Sequence, residues 1–235
     1  EEAHHMFVGE SGISRVLSRT AQVMNDLKTD DPAQVRAAGA IDLPTIQRYL
    51  NFHYSVTIDL FGADQSSNAA TFYSSGLKGR YEEGKRTDDH VLKGQTYKVL
   101  EVKDGQLLEK EVPMLNALNE VLRDDFIKDS MAGVGRWNKV LEKAGVPTRL
   151  SVPHKAFNRQ IGALAGIKMS PDGRVVSEAE WTARKAEWLP TPEDFAFVAS
   201  LMGRVVEPGK FAGWIAPPAM GINRQPGGLE YVRFN

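Results

Sequence analysis

The sequence contains no cysteine among its 235 residues. That excludes a disulfide framework, a thiolate zinc site, a cysteine-ligated iron–sulfur cluster and a cysteine nucleophile. It also fits a reducing, cytoplasmic setting. No apolar run approaches the roughly 18 residues that a membrane-spanning helix needs, so no membrane partner is expected. Neither sign of charge is in excess: 29 basic residues stand against 30 acidic ones, and the formal net charge is -1. Overall basicity therefore gives no reason to expect a nucleic-acid partner. The glycine-rich phosphate cradles and the Gly-x-Ser-x-Gly nucleophile turn are missing too. No nucleotide, flavin or nicotinamide of the chain's own is expected. What is present is ordinary globular material, 42% hydrophobic and 25% charged, long enough for one or two domains with a sizeable core.

The pattern is mainly helical. Residues 1–28 read as one helix, and the chain opens inside it at Glu1 rather than at a methionine, as a piece of a longer protein would. Asp42 is placed to cap a second helix from about Leu43 to Phe61, and residues 64–83 read as a third. Asp104-Gly105, between Thr96–Val102 and Gln106–Val112, is a strong hairpin signal. Residues 113–143 return to helix, and a short helix is expected over 154–165. Ser177 with Glu180, and Thr191 with Asp194, are spaced as capping boxes that open two more helices. From Glu207 to the end proline and glycine dominate, which predicts an irregular tail. The organisation expected is helices over 1–90, then an α-rich extension over 91–235 with the hairpin near 96–112 and the tail over 207–235.

The chemistry-bearing pattern lies at the start. Taking Glu2 as the origin of a helical wheel, Gly9, Ile13, Val16, Thr20, Met24 and Leu27 fall within about 40° of it at 100° per residue. His5 lies on the flank of this stripe, whereas His4 is nearly opposite. Glu2 and His5 thus form a Glu-x-x-His pair expected on the core side. In di-iron and di-manganese carboxylate proteins such a pair is the half-site unit, one of two Glu-x-x-His pairs in the ligand set. Positions i and i+3 are helical neighbours, so a hard carboxylate oxygen and an imidazole nitrogen converge on one ion. The spacing alone is weak, since most such pairs are surface contacts. A full site takes a second pair and further carboxylates. No second Glu-x-x-His occurs outside the overlapping frames at residues 1–5, so the chain by itself is not expected to hold a stable iron pair.

Other candidates are less specific. His154, Lys155 and Arg159, beside Phe157, form a small basic cluster that suits a phosphate-bearing substrate, with a solvated helix face as the alternative. His53 reads as a packed or capped histidine. Asp124-Asp125 reads as exposed charge, and Trp137, Trp181, Trp188 and Trp214 read as core anchors.

Several longer segments carry a resemblance. EEAHHMFVGESGISRV, IDLPTIQRYLNFHYSVTIDLFG, LNALNEVLRDDFI, RWNKV, PHKAFNRQIG, LMGRVVEPGKFAGWIAPP and the terminal EYVRFN resemble the oxygenase components of the benzoyl-CoA 2,3-epoxidase family. The resemblance implies a ferritin-like helical bundle with a di-iron centre, formed in part by residues 1–90. It implies insertion of one oxygen atom of dioxygen into the ring of benzoyl-CoA during aerobic benzoate breakdown. Electrons would come from a separate NADPH-dependent flavin and iron–sulfur reductase. The family's last metal-binding motif falls on Glu2 and His5, and the other iron ligands have no counterpart here. Two alternatives are a related di-iron oxygenase acting on another aromatic or acyl-CoA substrate, and a metal-free helical structural or interaction protein.

Overall fold

The structure is a computed structural model that describes residues 2–63, 94–207 and 210–220, with the side chains of residues 2–4 outside the described part. It is mainly helical with one small antiparallel sheet. Helix α1 spans Glu2–Leu27, α2 Pro32–Ala37 and α3 Leu43–Asp59. Strands β1 (Thr96–Lys103) and β2 (Gln106–Pro113) follow, then a 3-10 turn over Met114–Ala117 that leads into α4 (Leu118–Lys143). Helices α5 (Glu178–Trp188) and α6 (Pro192–Leu201) close the order. No helix among the described residues is long and apolar enough to cross a membrane. The helix expected over 64–83 lies outside the described residues.

The local signals act as their chemistry dictates. Asp42 caps α3, its carboxylate accepting the Thr45 backbone N–H at 2.9 Å. Ser177 accepts from the Glu180 backbone, and Thr191 with Asp194 forms the full reciprocal capping box. The hairpin pairs Lys103 with Gln106, and Asp104 and Gly105 both take positive φ (52° and 75°). Those are the values a two-residue turn needs to match strand twist, and they explain an Asp-Gly pair there.

The expected helix over 154–165 is not formed; the segment is a series of turns. Asn158 sits at φ 50°, and the Gln160 backbone N–H donates to Asp59 at 2.9 Å instead of to the preceding helical turn. A carboxylate from α3 has taken the donor that a helix would use. The described part of the expected irregular tail, residues 210–220, contains no helix. It is tied to α1 by Arg15 and Arg19, whose Nε atoms donate to the carbonyls of Ala216 and Gly213 at 2.7 Å.

The chain forms two compact units. The first comprises residues 1–48, 133–151 and 190–235. Its core holds Val16, Leu17, Ala21, Val23, Met24, Val35 and Leu141. Its polar centre is Asp194, 1% exposed, which receives Arg36 at 2.6 Å and Arg48 at 2.7 Å. Arg36 also meets Asp42 at 2.5 Å. The second unit comprises residues 49–132 and 152–189. Trp181, Trp188, Phe157 and Val176 cluster in it, as do Ala156, Leu164 and Met169 against Leu100, Val102 and Leu107 of the hairpin. Trp181 and Trp188 are thus the core anchors expected, whereas Trp137 and Trp214 are half-buried.

Burial works against the charge of Asp194. The hydrogen bonds from Arg48, the Thr191 backbone and Arg36 outweigh it and hold the carboxyl well below the usual carboxylate range. Removing the carboxylate leaves two guanidinium groups without their shared partner. Asp194→Ala should therefore cost roughly 3–5 kcal/mol of unfolding free energy, read by urea titration. Because the folded pKa is depressed, the stability that Asp194 supplies is present above about pH 3.9 and is lost as pH falls below it. Urea titrations stepped from pH 7 to pH 3 should show this acid loss in the native protein and a flatter profile in Asp194→Asn.

Candidate metal centre and a buried ion-pair network

Glu2 and His5 both fall in the first turn of α1, so the i, i+3 spacing is realised on a helix. The core-facing stripe expected around them is realised only further along. Val16, Thr20 and Met24 are buried, but His5, Gly9, Ile13 and Leu27 are exposed. Met6, Phe7 and Val8 are exposed as well, at 74%, 69% and 52%. At 100° per residue these three span about 200° of the helix's circumference, interleaved with the polar residues Glu2, His4, His5 and Glu10. Three consecutive exposed apolar side chains form a patch of the kind that a partner surface covers. Beyond them Glu10 receives Arg136 from α4 at 2.5 Å, and its carbonyl accepts the Trp137 indole N–H at 3.3 Å. Among the described residues no group of three or more His, Asp or Glu gathers as a metal site.

The basic cluster at 154–159 is not a phosphate site, because its cations are already neutralised. Lys155 donates to Glu120 at 2.7 Å and to Asp124 at 2.8 Å. Burial opposes its charge, yet those two carboxylates outweigh burial and raise its pKa. Arg159, 1% exposed, is held by Asp59 at 2.5 Å. His154 is uncharged in character: burial, then the neighbouring Lys155, push its pKa down, and its Nδ1 accepts the Ala156 N–H at 3.2 Å. A Cβ on Gly173 would stand 2.8 Å from the His154 ring, so only glycine lets the ring sit there.

These contacts belong to a larger network in the second unit that pattern reading missed. Arg123 is fully buried and donates to Glu120, to the Gly62 carbonyl at 2.7 Å and to the Ile58 carbonyl at 3.2 Å. Asp124, expected as exposed charge, also accepts the Tyr97 hydroxyl at 2.7 Å. Three carboxylates (Asp59, Glu120, Asp124) therefore face three cations (Arg123, Lys155, Arg159). Burial and the nearby Asp124 push the Tyr54 and Tyr97 phenols well up; Tyr97 donates to Asp124, whereas the buried Tyr54 hydroxyl meets no hydrogen-bond partner among the described residues. The one available signal was the i, i+4 spacing of Glu120 and Asp124, which puts both on one face of α4. His53 is exposed rather than packed in the core, its ring 6.0 Å from Tyr49 and 5.3 Å from Phe52.

Removing Lys155 takes away the cation that Glu120 and Asp124 share, leaving Glu120 to Arg123 and Asp124 to the Tyr97 hydroxyl. Lys155→Ala should lower unfolding free energy by on the order of 3 kcal/mol in urea titrations, while salt-controlled binding of a polyphosphate stays unchanged.

No family model matches the chain. It is 61% identical, over all 235 of its residues, to "Benzoyl-CoA oxygenase component B" of Aromatoleum evansii, and that match covers 50% of the relative. The chain thus spans about half the length of the curated relative it matches, and along the whole of its own length it is similar to an oxygenase component of the kind its motifs resemble.

Proposed function

We propose that this chain is part of a di-iron monooxygenase that converts benzoyl-CoA to its 2,3-epoxide. The observation that carries the reading is the 61% identity running through the whole chain. The position of Glu-x-x-His on the first turn of α1 supports it. The relative's name makes it one component of an oxygenase system. By the same reading this chain works with a partner, a separate NADPH-dependent flavin and iron–sulfur reductase. One oxygen atom enters the ring and the other leaves as water, which takes two electrons from the reductase and two protons. The compartment proposed is the cytoplasm, where a thiol-free chain needs no oxidative folding.

Glu2 and His5 suit iron as donors and make up one of the two Glu-x-x-His pairs of a di-iron ligand set. The remaining carboxylates and histidine lie, in this reading, outside this chain, within a ferritin-like bundle to which α1 contributes one helix. The chemistry an iron pair supplies when bound is activation of dioxygen. The chain's own residues hold and shield it. The Glu2 carboxylate would hold iron through hard oxygen donors. His5 would add an imidazole nitrogen about one helical turn along. Met6, Phe7 and Val8 then serve as part of the dry wall that keeps water from the reacting oxygen. That role accounts for apolar side chains on turns that would otherwise face solvent.

The reading is tested on the intact oxygenase component. His5→Ala and Glu2→Ala should each lower bound iron from two per subunit to one or none by elemental analysis. Epoxide formation from benzoyl-CoA should stop in both. Full iron content in both variants would overturn the assignment of the metal ligands. Normal iron with no oxygenation of benzoyl-CoA, but turnover of another aromatic thioester, would favour the related-oxygenase alternative.

A further inference from the structure

Helix α3 carries a second apolar face that lies away from the core of the described residues. Its core face is Asn51, Tyr54, Ser55 and Ile58, none more than 5% exposed. Tyr49, Phe52, His53 and Val56, continued by Leu60 in the turn that follows, fall on the other side within an arc of about 100° on a helical wheel. Val56 is 44% and Leu60 81% exposed. His53 is exposed too, while Tyr49 and Phe52 are half-exposed beside it. The only charged residue from Tyr49 to Leu60 is Asp59, and it is turned inward to Arg159. A helix face that water covers normally carries charge, and an apolar arc of this width is what a helix presents to another helix. The length of the arc, about 17 Å at 1.5 Å per residue, matches three turns of such a partner.

We propose that this face is the seat of a helix from the other half of the oxygenase polypeptide, the half that the relative carries outside its match to this chain. The inference rests on the reading of the chain as part of such a subunit. Two observations select this occupant. As much polypeptide again lies outside the match, since the match covers 50% of the relative. The face also has no charge with which to recognise an acidic or basic partner, so the complement is an apolar helix face. Its polar groups are the His53 imidazole, edge-on to Phe52 and stacked on Tyr49, and the Tyr49 hydroxyl, so the partner helix should be apolar apart from a hydrogen-bonding group that meets His53.

The test is photo-leucine incorporation into the intact oxygenase component, followed by irradiation and mass-spectrometric mapping of the cross-links from Leu60. Photo-leucine is nearly isosteric with leucine, so no substitution threatens folding. Most Leu60 cross-links are expected on peptides from the other half of the same polypeptide, in a mixture of isotopically heavy and light subunits that yields no mixed pairs. Cross-links between heavy and light subunits would assign the face to a second copy and overturn the proposal. So would cross-links to residues 64–93, or water adducts alone. Iron content and benzoyl-CoA turnover are measured on the same sample. Water adducts on an active, iron-loaded protein sink this inference and leave the function standing. Cross-links to the other half in a protein that does not oxygenate benzoyl-CoA do the reverse.

Discussion

A carboxylate taken out of water must be met by a cation or by hydrogen-bond donors, and this requirement organises both units of the chain. In the first unit Asp194 is the buried charge, and Arg36 and Arg48 are drawn to it from the end of α2 and the start of α3. In the second, Asp59, Glu120 and Asp124 are answered by Arg159, Arg123 and Lys155. Each set ties together segments far apart in sequence. The Arg48–Asp194 pair spans 146 residues and the Arg159–Asp59 pair 100. Such contacts are weak evidence of stability, because desolvation offsets much of the attraction. They are strong constraints on which segment lies against which, since a mispaired arrangement would leave a charge buried alone.

The same requirement decides the shape of the loop over 154–165. Its residues have the hydrophobic spacing of a helix, and in isolation a helix is a fair reading. Asp59 and Glu120, placed by α3 and α4, claim Arg159, the Gln160 backbone and Lys155. Satisfying two buried carboxylates outweighs the few helical hydrogen bonds such a short segment would form. The result also changes the meaning of the basic cluster, whose cations serve carboxylates of the same chain and have no charge left to offer a substrate phosphate.

Two helices remain apolar where the described structure leaves them exposed: the first turns of α1 and the Tyr49–Leu60 face of α3. For α1 this coincides with the Glu-x-x-His pair. A metal site needs a dry surround, and in the proposed reading Met6, Phe7 and Val8 beside that pair supply part of one. Under the proposed function the two features have one explanation, burial within a subunit as long as the relative, half of which lies outside its match to this chain.

The sequence by itself determined what is local. Helix starts at Asp42, Ser177 and Thr191, the Asp104-Gly105 hairpin and the mainly helical class follow from capping, turn geometry and apolar spacing. These act over a few residues and need no knowledge of the rest. The whole-chain resemblance was legible in the same way, segment by segment, and so was the Glu2–His5 pair as a pattern. Tertiary structure alone decided the rest. Asp124 is half-buried and paired, Lys155 and Arg159 are neutralised, and the α1 stripe is covered only from Val16 to Met24. Burial and charge pairing depend on which distant segments meet, and periodicity reports only which face of a helix is apolar, not whether anything lies against it.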